Sequence, residues 1–354
     1  MSKQRKRAII ITALSLPLAF LLVVMPLSTV IIYEAIFGAR YETDDWIKYS
    51  VEDFDGLSVE HDSFVSNKTE LAGYKYSRKK ESINGVVVIA HGLGGGGHNS
   101  YMPFVDFFTA NGYFVFAYDA HGNDRSEGDS VEGLPQGLID LDNAIKHVKS
   151  LEEYNDLPIL LLGHSWGAYA VANVLEYHPD VKAAVIIAGY NESEDMLAHH
   201  ARKYAGFTVD FSMLYLDVYE RIKFGEKYTD ITATEAISEC KTEIMVVHGG
   251  LDTTVPPEYG YDKLYSEFYD SERVEFKFYA DRAHDDIFCS DDAIAYRREI
   301  NSEYEKFIST SGKNDNEATR NQFMQKWVDK SKYFELDHDL MAEILAMFDM
   351  CCTK

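Results

Sequence analysis

The chain has 354 residues, 46% of them apolar, and its 34 basic and 58 acidic side chains give a formal charge of −24. That length and apolar content provide for one large α/β domain with an insertion, or for two ordinary domains with full cores. The acidic balance counts against a phosphate-backbone ligand, which needs a basic face, so no nucleic acid partner is expected. Cys240, Cys289, Cys351 and Cys352 have neither metal-ligand spacing nor the density of a disulfide framework. Free thiols are expected, with a Cys240–Cys289 bridge left open.

The chain begins with a basic cluster, Lys3, Arg5, Lys6 and Arg7, followed by 26 residues from Ala8 to Tyr33 without a charge. At 1.5 Å per residue this run reaches about 39 Å, enough to cross a hydrocarbon core of ~30 Å with some tilt. Pro17 and Pro26 are sites for kinks, which membrane helices tolerate. A buried soluble helix is rarely this long and this free of charge. A cleaved signal peptide has a shorter apolar region and small residues at the cut, whereas Phe37-Gly38-Ala39 puts a bulky side chain there. The expectation is an uncleaved membrane helix over 8–33, a cytoplasmic tail over 1–7 and the remainder of the chain outside the cytoplasm. Residues 34–55 then form a polar juxtamembrane linker.

Alternating segments around Leu57–Val65 and Glu70–Tyr76 suit antiparallel edge strands. From there strands and helices alternate, the pattern of a parallel sheet covered on both faces. Val86–Ala90, Tyr113–Tyr118, Leu157–Leu162, Ala183–Ala188, Glu243–Val247 and Val274–Tyr279 are the buried strands. Leu138, Leu141, Ile145 and Val148 recur at helical spacing. Between about Tyr190 and Glu239 the alternation stops, and Met196, Leu197, Phe207, Phe211, Met213, Leu214, Tyr215, Tyr219 and Phe224 mark an insertion rich in aromatic groups. It is expected as a cap over the sheet, the alternative being an ordinary crossover with a long helix. His199 and His200 are adjacent on a helix and point in different directions, which argues against a metal pair. A helix around Ile300–Ile308, a polar break over 311–321 and a final helix capped by Asp337 or Asp339 complete the chain, with residues 311–354 as a helical extension.

Gly163-His164-Ser165-Trp166-Gly167 lies between a strand and a helix. A bare Gly-x-Ser-x-Gly is a weak pattern; in this context it makes a strained turn that lifts a serine hydroxyl off the sheet edge. Such a hydroxyl needs a base, and the base needs an orienting carboxylate. Two loops just past buried strands offer them: Asp252 in His248–Pro256, and His284 in Ala280–Asp285. Asp281, Asp285 and Asp286 are rival carboxylates. The N–H of Trp166, the residue after the serine, is one candidate donor to an oxyanion. The glycine run Gly94–Gly97 lacks the Gly-Lys-Ser/Thr ending of a phosphate cradle, so no cofactor is expected, and no metal.

The order Ser165, Asp252, His284, together with His91-Gly92-Leu93-Gly94, Asp119–Ser126, His248–Pro256 and Ala283-His284, resembles the α/β-hydrolase superfamily, and within it the serine aminopeptidase and monoacylglycerol lipase-like branch. Gly122-Asn123-Asp124 departs from the glycine-histidine-glycine run usual in that branch. The resemblance implies a hydrolase domain over 56–354, Asp252 as the acid of the triad and Leu93 as the second oxyanion donor. With the membrane helix it implies a serine hydrolase acting on acyl esters or lipid-like substrates. Amide hydrolysis on short peptides, or a non-catalytic binding protein on the same scaffold, are the alternatives.

Overall fold

The computed structural model describes residues 3–79, 83–206 and 209–353. Phe207, expected among the apolar groups of the cap, lies outside them, as do the first two residues and the last.

The aliphatic, β-branched runs form the strands. The sheet has eight, β1 (Ser58–Ser66), β2 (Thr69–Ser77), β3 (Val86–Ala90), β4 (Phe114–Tyr118), β5 (Ile159–His164), β6 (Ala183–Ile187), β7 (Glu243–Gly249) and β8 (Val274–Tyr279), in the order β1-β2-β4-β3-β5-β6-β7-β8. β2 is antiparallel to both β1 and β4, and every pairing from β4 to β8 is parallel. Asn67 and Lys68, both at positive φ, make the two-residue turn that joins the β1–β2 hairpin. β3, β5 and β6 are buried along their whole length, as a parallel sheet covered on both faces requires. Alternate residues feed opposite cores: Val86, Val88 and Ala90 pack on one face, Val87 and Ile89 on the other.

The first core is closed by α4 (Leu134–Ser150) and α5 (Trp166–Val174), the second by α3 (Met102–Ala110) and, at the end of the chain, α14 (His338–Cys352). Between β6 and β7 stand four helices, α6 (Ser193–Ala205), α7 (Val209–Phe224), α8 (Glu226–Thr229) and α9 (Ala233–Glu239). They take the place of a single crossover helix. The remaining helices are α10 (Tyr261–Phe268), α11 (Asp291–Ser311), α12 (Glu317–Trp327) and α13 (Lys330–Tyr333). The polar break expected over 311–321 is shorter than that: Asn316 caps α12 by accepting from Thr319 N–H, so Glu317–Asn321 is already helical. All four cysteines are free thiols.

The N-terminal segment is a continuous helix in three parts, α1 (Lys3–Ala19), a π-turn (Phe20–Val24) and α2 (Met25–Phe37). The widened turn falls between Pro17 and Pro26, each of which removes a backbone donor from the ladder. Ala13–Phe37 has a mean hydropathy of 2.3 and is long and apolar enough to cross a membrane by length and composition. The helix runs four residues past the expected end at Tyr33, because the charge of Glu34 is met at 2.7 Å by Lys223 and at 2.5 Å by the Tyr219 hydroxyl.

Residues 34–55, expected as a linker, are instead packed on the domain, because their polar groups find partners there. Arg40 donates to the carbonyls of Asp124, Ser126 and Gly128, Thr43 binds the Asp124 carboxylate, and buried Tyr49 donates to Lys330 O. Trp46 packs edge-on against Tyr333.

The final helix is tied to β8 by the Lys277–Glu343 pair, and its cap to the loop after β8 by a second. Asp337 caps α14 by accepting from Asp339 and Leu340 N–H, and its second oxygen takes the Arg282 guanidinium at 2.6 Å. Asp337→Ala should therefore cost more than the ~1 kcal/mol of a lost cap, since it also strands a buried guanidinium at about 1–3 kcal/mol. Urea unfolding should show about 2–4 kcal/mol lost for Asp337→Ala; a loss no larger than for a surface substitution would refute this bracing.

Candidate active site

β5 ends at His164 and α5 starts at Trp166, so Ser165 alone makes the turn. It sits at φ +56° and ψ −115°, a conformation strained for any residue with a side chain, and its own N–H is held by Ile187 O at 2.9 Å. The flanking glycines permit this. A Cβ on Gly163 would lie 2.3 Å from Gly167 O, and one on Gly167 would lie 2.0 Å from Ala90 O. Ser165 is left half-buried at the carboxyl edge of the sheet.

His284 opens a short 3-10 turn after β8, and its Nδ1 lies 2.6 Å from Asp252 Oδ2. Asp252 is buried, and its other oxygen accepts from Thr254 and Val255 N–H at 2.9 and 2.8 Å, which fixes the carboxylate before it meets the imidazole. Burial pushes the Asp252 carboxyl up, but the hydrogen bond and charge of His284 and the Val255 N–H bring it below the usual carboxylate range. Of the rivals, Asp286 gives its carboxylate to Arg297, and Asp281 and Asp285 are exposed.

A second chain of hydrogen bonds crosses the site. Gly92 N–H donates to the Tyr101 hydroxyl, Tyr101 donates to His164 Nδ1 (both 2.9 Å), and His164 Nε2–H points at His284 O at 3.3 Å. The Gly92 N–H needs an acceptor, and that sets the direction of the rest. Burial, and then the neighbouring His284, lower the His164 pKa to about 4, so its ring carries the single proton this chain requires. The glycine loop, the serine turn and His284 are thereby linked through Tyr101, which the sequence did not single out. A tyrosine in a helix ten residues past a strand has no local signature.

Two carboxylates hold the glycine loop that carries Leu93. Asp119 Oδ1 accepts from His98 N–H (3.0 Å) and Nδ1 (2.7 Å), and its Oδ2 from the Tyr74 hydroxyl at 2.8 Å. Asp124 Oδ2 accepts from Gly97 N–H and Asn99 at 3.0 Å and from Thr43 at 2.6 Å. The four glycines divide by role. Gly94 and Gly95 face open space, whereas a Cβ on Gly96 would strike Thr43 and one on Gly97 the Asp119 carboxylate. Leu93 itself is half-buried against the core. The Trp166 ring is buried in the core over Gly137, with its Nε1–H on Leu134 O at 2.8 Å. A large planar ring with one donor goes where its area is covered and the donor met.

From the cap, His200 reaches Thr254 O in the Asp252 loop at 3.1 Å and His199 reaches the Tyr259 hydroxyl, so the two rings serve different partners. Among the described residues, His164, His284 and Asp285 bring one possible metal-binding atom each within 4.8 Å of one another. His164 already uses one nitrogen on Tyr101 and the other on His284 O, which leaves two free donors, short of a zinc set.

The family model described as serine aminopeptidase, S33, matches residues 81–224. That span includes Leu93, Ser165 and Trp166 and stops before Asp252 and His284. The chain is 32% identical over 111 residues to the quorum-quenching protein AidA of Acinetobacter baumannii, and 28% identical over 132 residues to a proline iminopeptidase of Lactiplantibacillus plantarum. The matches cover 29% and 37% of this chain and 35% and 45% of those relatives, so the chain spans less than half the length of either. Among solved structures it is similar to the esterase Pf2001 of Pyrococcus furiosus, with a TM-score of 0.53 and 18% identity over 74% of this chain and 95% of that one. It is also similar to the Pyrococcus horikoshii acylaminoacyl peptidase, with a TM-score of 0.50 and 18% identity over 73% of this chain and 42% of that one.

The Asp119 pair gives the site a signature in pH. Burial pushes this carboxyl up, but the charge and hydrogen bonds of His98 outweigh it and hold the pKa at about 2, against 3.8 ordinarily. A depressed carboxylate contributes stability above its unfolded value and loses it as pH falls toward the folded one. Urea stability should fall by roughly 2 kcal/mol between about pH 4 and pH 2 from this group, and Asp119→Asn should remove that part of the slope. An unchanged slope in the variant would place the transition elsewhere. With β2 turned against an otherwise parallel sheet, four helices inserted after β6 and a serine elbow between β5 and α5, the chain has the α/β-hydrolase fold.

Proposed function

We propose that the protein is a membrane-anchored serine hydrolase that cleaves carboxylic esters through an acyl-enzyme. The observation that carries this is the 2.6 Å contact of His284 Nδ1 with buried Asp252, on the same sheet edge as a serine held at positive φ. Ser165 Oγ attacks the carbonyl carbon as its proton passes to His284 Nε2. Asp252 holds the imidazolium, and the N–H groups of Trp166 and Leu93 receive the oxyanion. Collapse of the tetrahedral intermediate breaks the C–O bond and the proton leaves with the alcohol. Water then gives a proton to His284, adds to the acyl carbon and releases the acid, restoring the serine.

The esterase among the structural relatives and the apolar N-terminal helix favour an acyl ester or lipid-like substrate. A second reading, amide hydrolysis at a peptide N-terminus, is favoured by the description of the matching family and by the iminopeptidase relative. The basic cluster Lys3–Arg7 before the helix supports an N-terminus in the cytoplasm and a catalytic domain outside it.

Ser165→Ala should abolish both p-nitrophenyl ester turnover and labelling by a fluorophosphonate probe, and labelling that persists would remove Ser165 as nucleophile. Asp252→Asn should keep the fold and lower kcat by about 10⁴ through the wrong imidazole tautomer. Esters of graded chain length assayed beside aminoacyl amides would separate the two substrate classes. Protease added to intact cells should digest the catalytic domain; full protection would reverse the topology.

A further inference from the structure

Helix α7 is inside out for a soluble surface. Its fully exposed positions include Phe211, Leu214, Val218 and Ile222, at 58%, 66%, 52% and 79% exposure, spaced three, four and four residues apart on one face. Its charged side chains are paired within the helix or with its neighbours. Asp210 pairs with Arg202, Asp217 with Arg221, Glu220 with the Tyr33 hydroxyl, and Lys223 with Glu34 and Glu132. A solvated helix keeps its charges on the outer face, and here that face is aliphatic and aromatic.

The neighbour of α7 is the N-terminal helix. Tyr33 donates to Glu220 at 2.6 Å, Tyr219 to Glu34 at 2.5 Å, and Tyr215 to Leu21 O at 2.7 Å. Met25, Thr29, Tyr33 and Phe37 form the buried stripe of α2, and Leu27, Ile31, Ile32 and Ile36 remain exposed on its outer side. The N-terminal helix is thus fixed to the cap and is no loose tether. Its length sets the depth. Counted from the basic cluster that ends at Arg7, a ~30 Å hydrocarbon core takes about 20 residues and ends near Leu27. Tyr215 touches Leu21, six residues or about 9 Å short of that end, so the first turns of α7 fall within the outer part of the core.

Resting on the reading of the N-terminal helix as membrane-spanning, we propose that this face of α7 is a second membrane contact, seated in the outer part of the same bilayer. Continuity with the apolar helix and the coincidence of depth single out lipid as the occupant. With a formal charge of −24 the domain gains little from anionic lipid, so the apolar stripe has to carry the contact. The neighbouring helix α6 touches the Asp252 loop through His200, so this seating also puts the cap, and the site beneath it, at the lipid surface. That consequence rests on the hydrolase reading, and there it narrows the substrate to acyl esters already dissolved in the membrane.

The test uses the full chain in phosphatidylcholine vesicles. In Leu214→Trp the added indole emission should be quenched at least twofold by dibrominated acyl chains, while Glu305→Trp, at an exposed position of α11, should be unaffected. Unquenched emission at 214 overturns the proposal. So does a dimer in detergent that Leu214→Glu dissociates, which would make the face a contact between two copies. In a second arm, Leu214→Glu with Val218→Glu should lower turnover of a vesicle-embedded acyl ester about tenfold and leave a soluble ester unchanged. Quenching without turnover of either ester would uphold the membrane contact and sink the hydrolase reading.

Discussion

The turn between β5 and α5 depends on a close approach that only two glycines allow. With Gly167 against the Ala90 carbonyl and Gly163 against Gly167, the backbone can reverse in one residue and hold Ser165 at positive φ. The strain is sustained because β5 and α5 are buried on both sides and Ser165 N–H is bonded to β6. Everything else at the site is placed relative to this point. The β3 loop, the Asp252 loop and the His284 turn all leave the same edge of the sheet, so chain-distant residues meet without any of them being near in sequence.

The supports lie in layers around that edge. Asp119 and Asp124 anchor the glycine loop with buried carboxylates, and each acceptor oxygen is met by a backbone or side-chain donor. On the opposite side Arg282 and Arg297 bracket the His284 turn, Arg282 reaching Asp337 of the last helix and Arg297 the Asp285 carbonyl. The buried Arg282 guanidinium, met by Ile287 O and Asp337, is a rigid brace, and leaving it unpaired is costly. The C-terminal helices, outside the span matched by the family model, thus help to position His284.

The N-terminal helix and residues 34–55 show how far tertiary contact overrides composition. Their polar side chains read as solvated linker, yet Thr43 is a ligand of the Asp124 carboxylate and Tyr49 is buried. Glu34, the first charge after the apolar run, read as the end of the helix, and Lys223 and Tyr219 of α7 neutralise it so that the helix continues. The N-terminal helix, α7 and the glycine loop form one connected body.

The strands and the serine elbow were legible because each rests on local pattern, buried runs and glycines at fixed offsets, whereas Asp252 was singled out from its rivals only by the family resemblance. A strained turn and a parallel strand need particular residues in particular places, so they leave a trace in sequence. The Tyr101–His164 link, the division of Gly94–Gly97 into open and packed halves and the burial of Trp166 in the core were decided by the fold alone. These depend on which side chains, tens of residues apart, happen to fill the same space, and no short-range pattern encodes that. The apolar face of α7 stands between the two. Its spacing was present in the sequence, but a stripe of Phe211, Leu214, Val218 and Ile222 reads equally as core, and only packing determines which side of a helix the core takes.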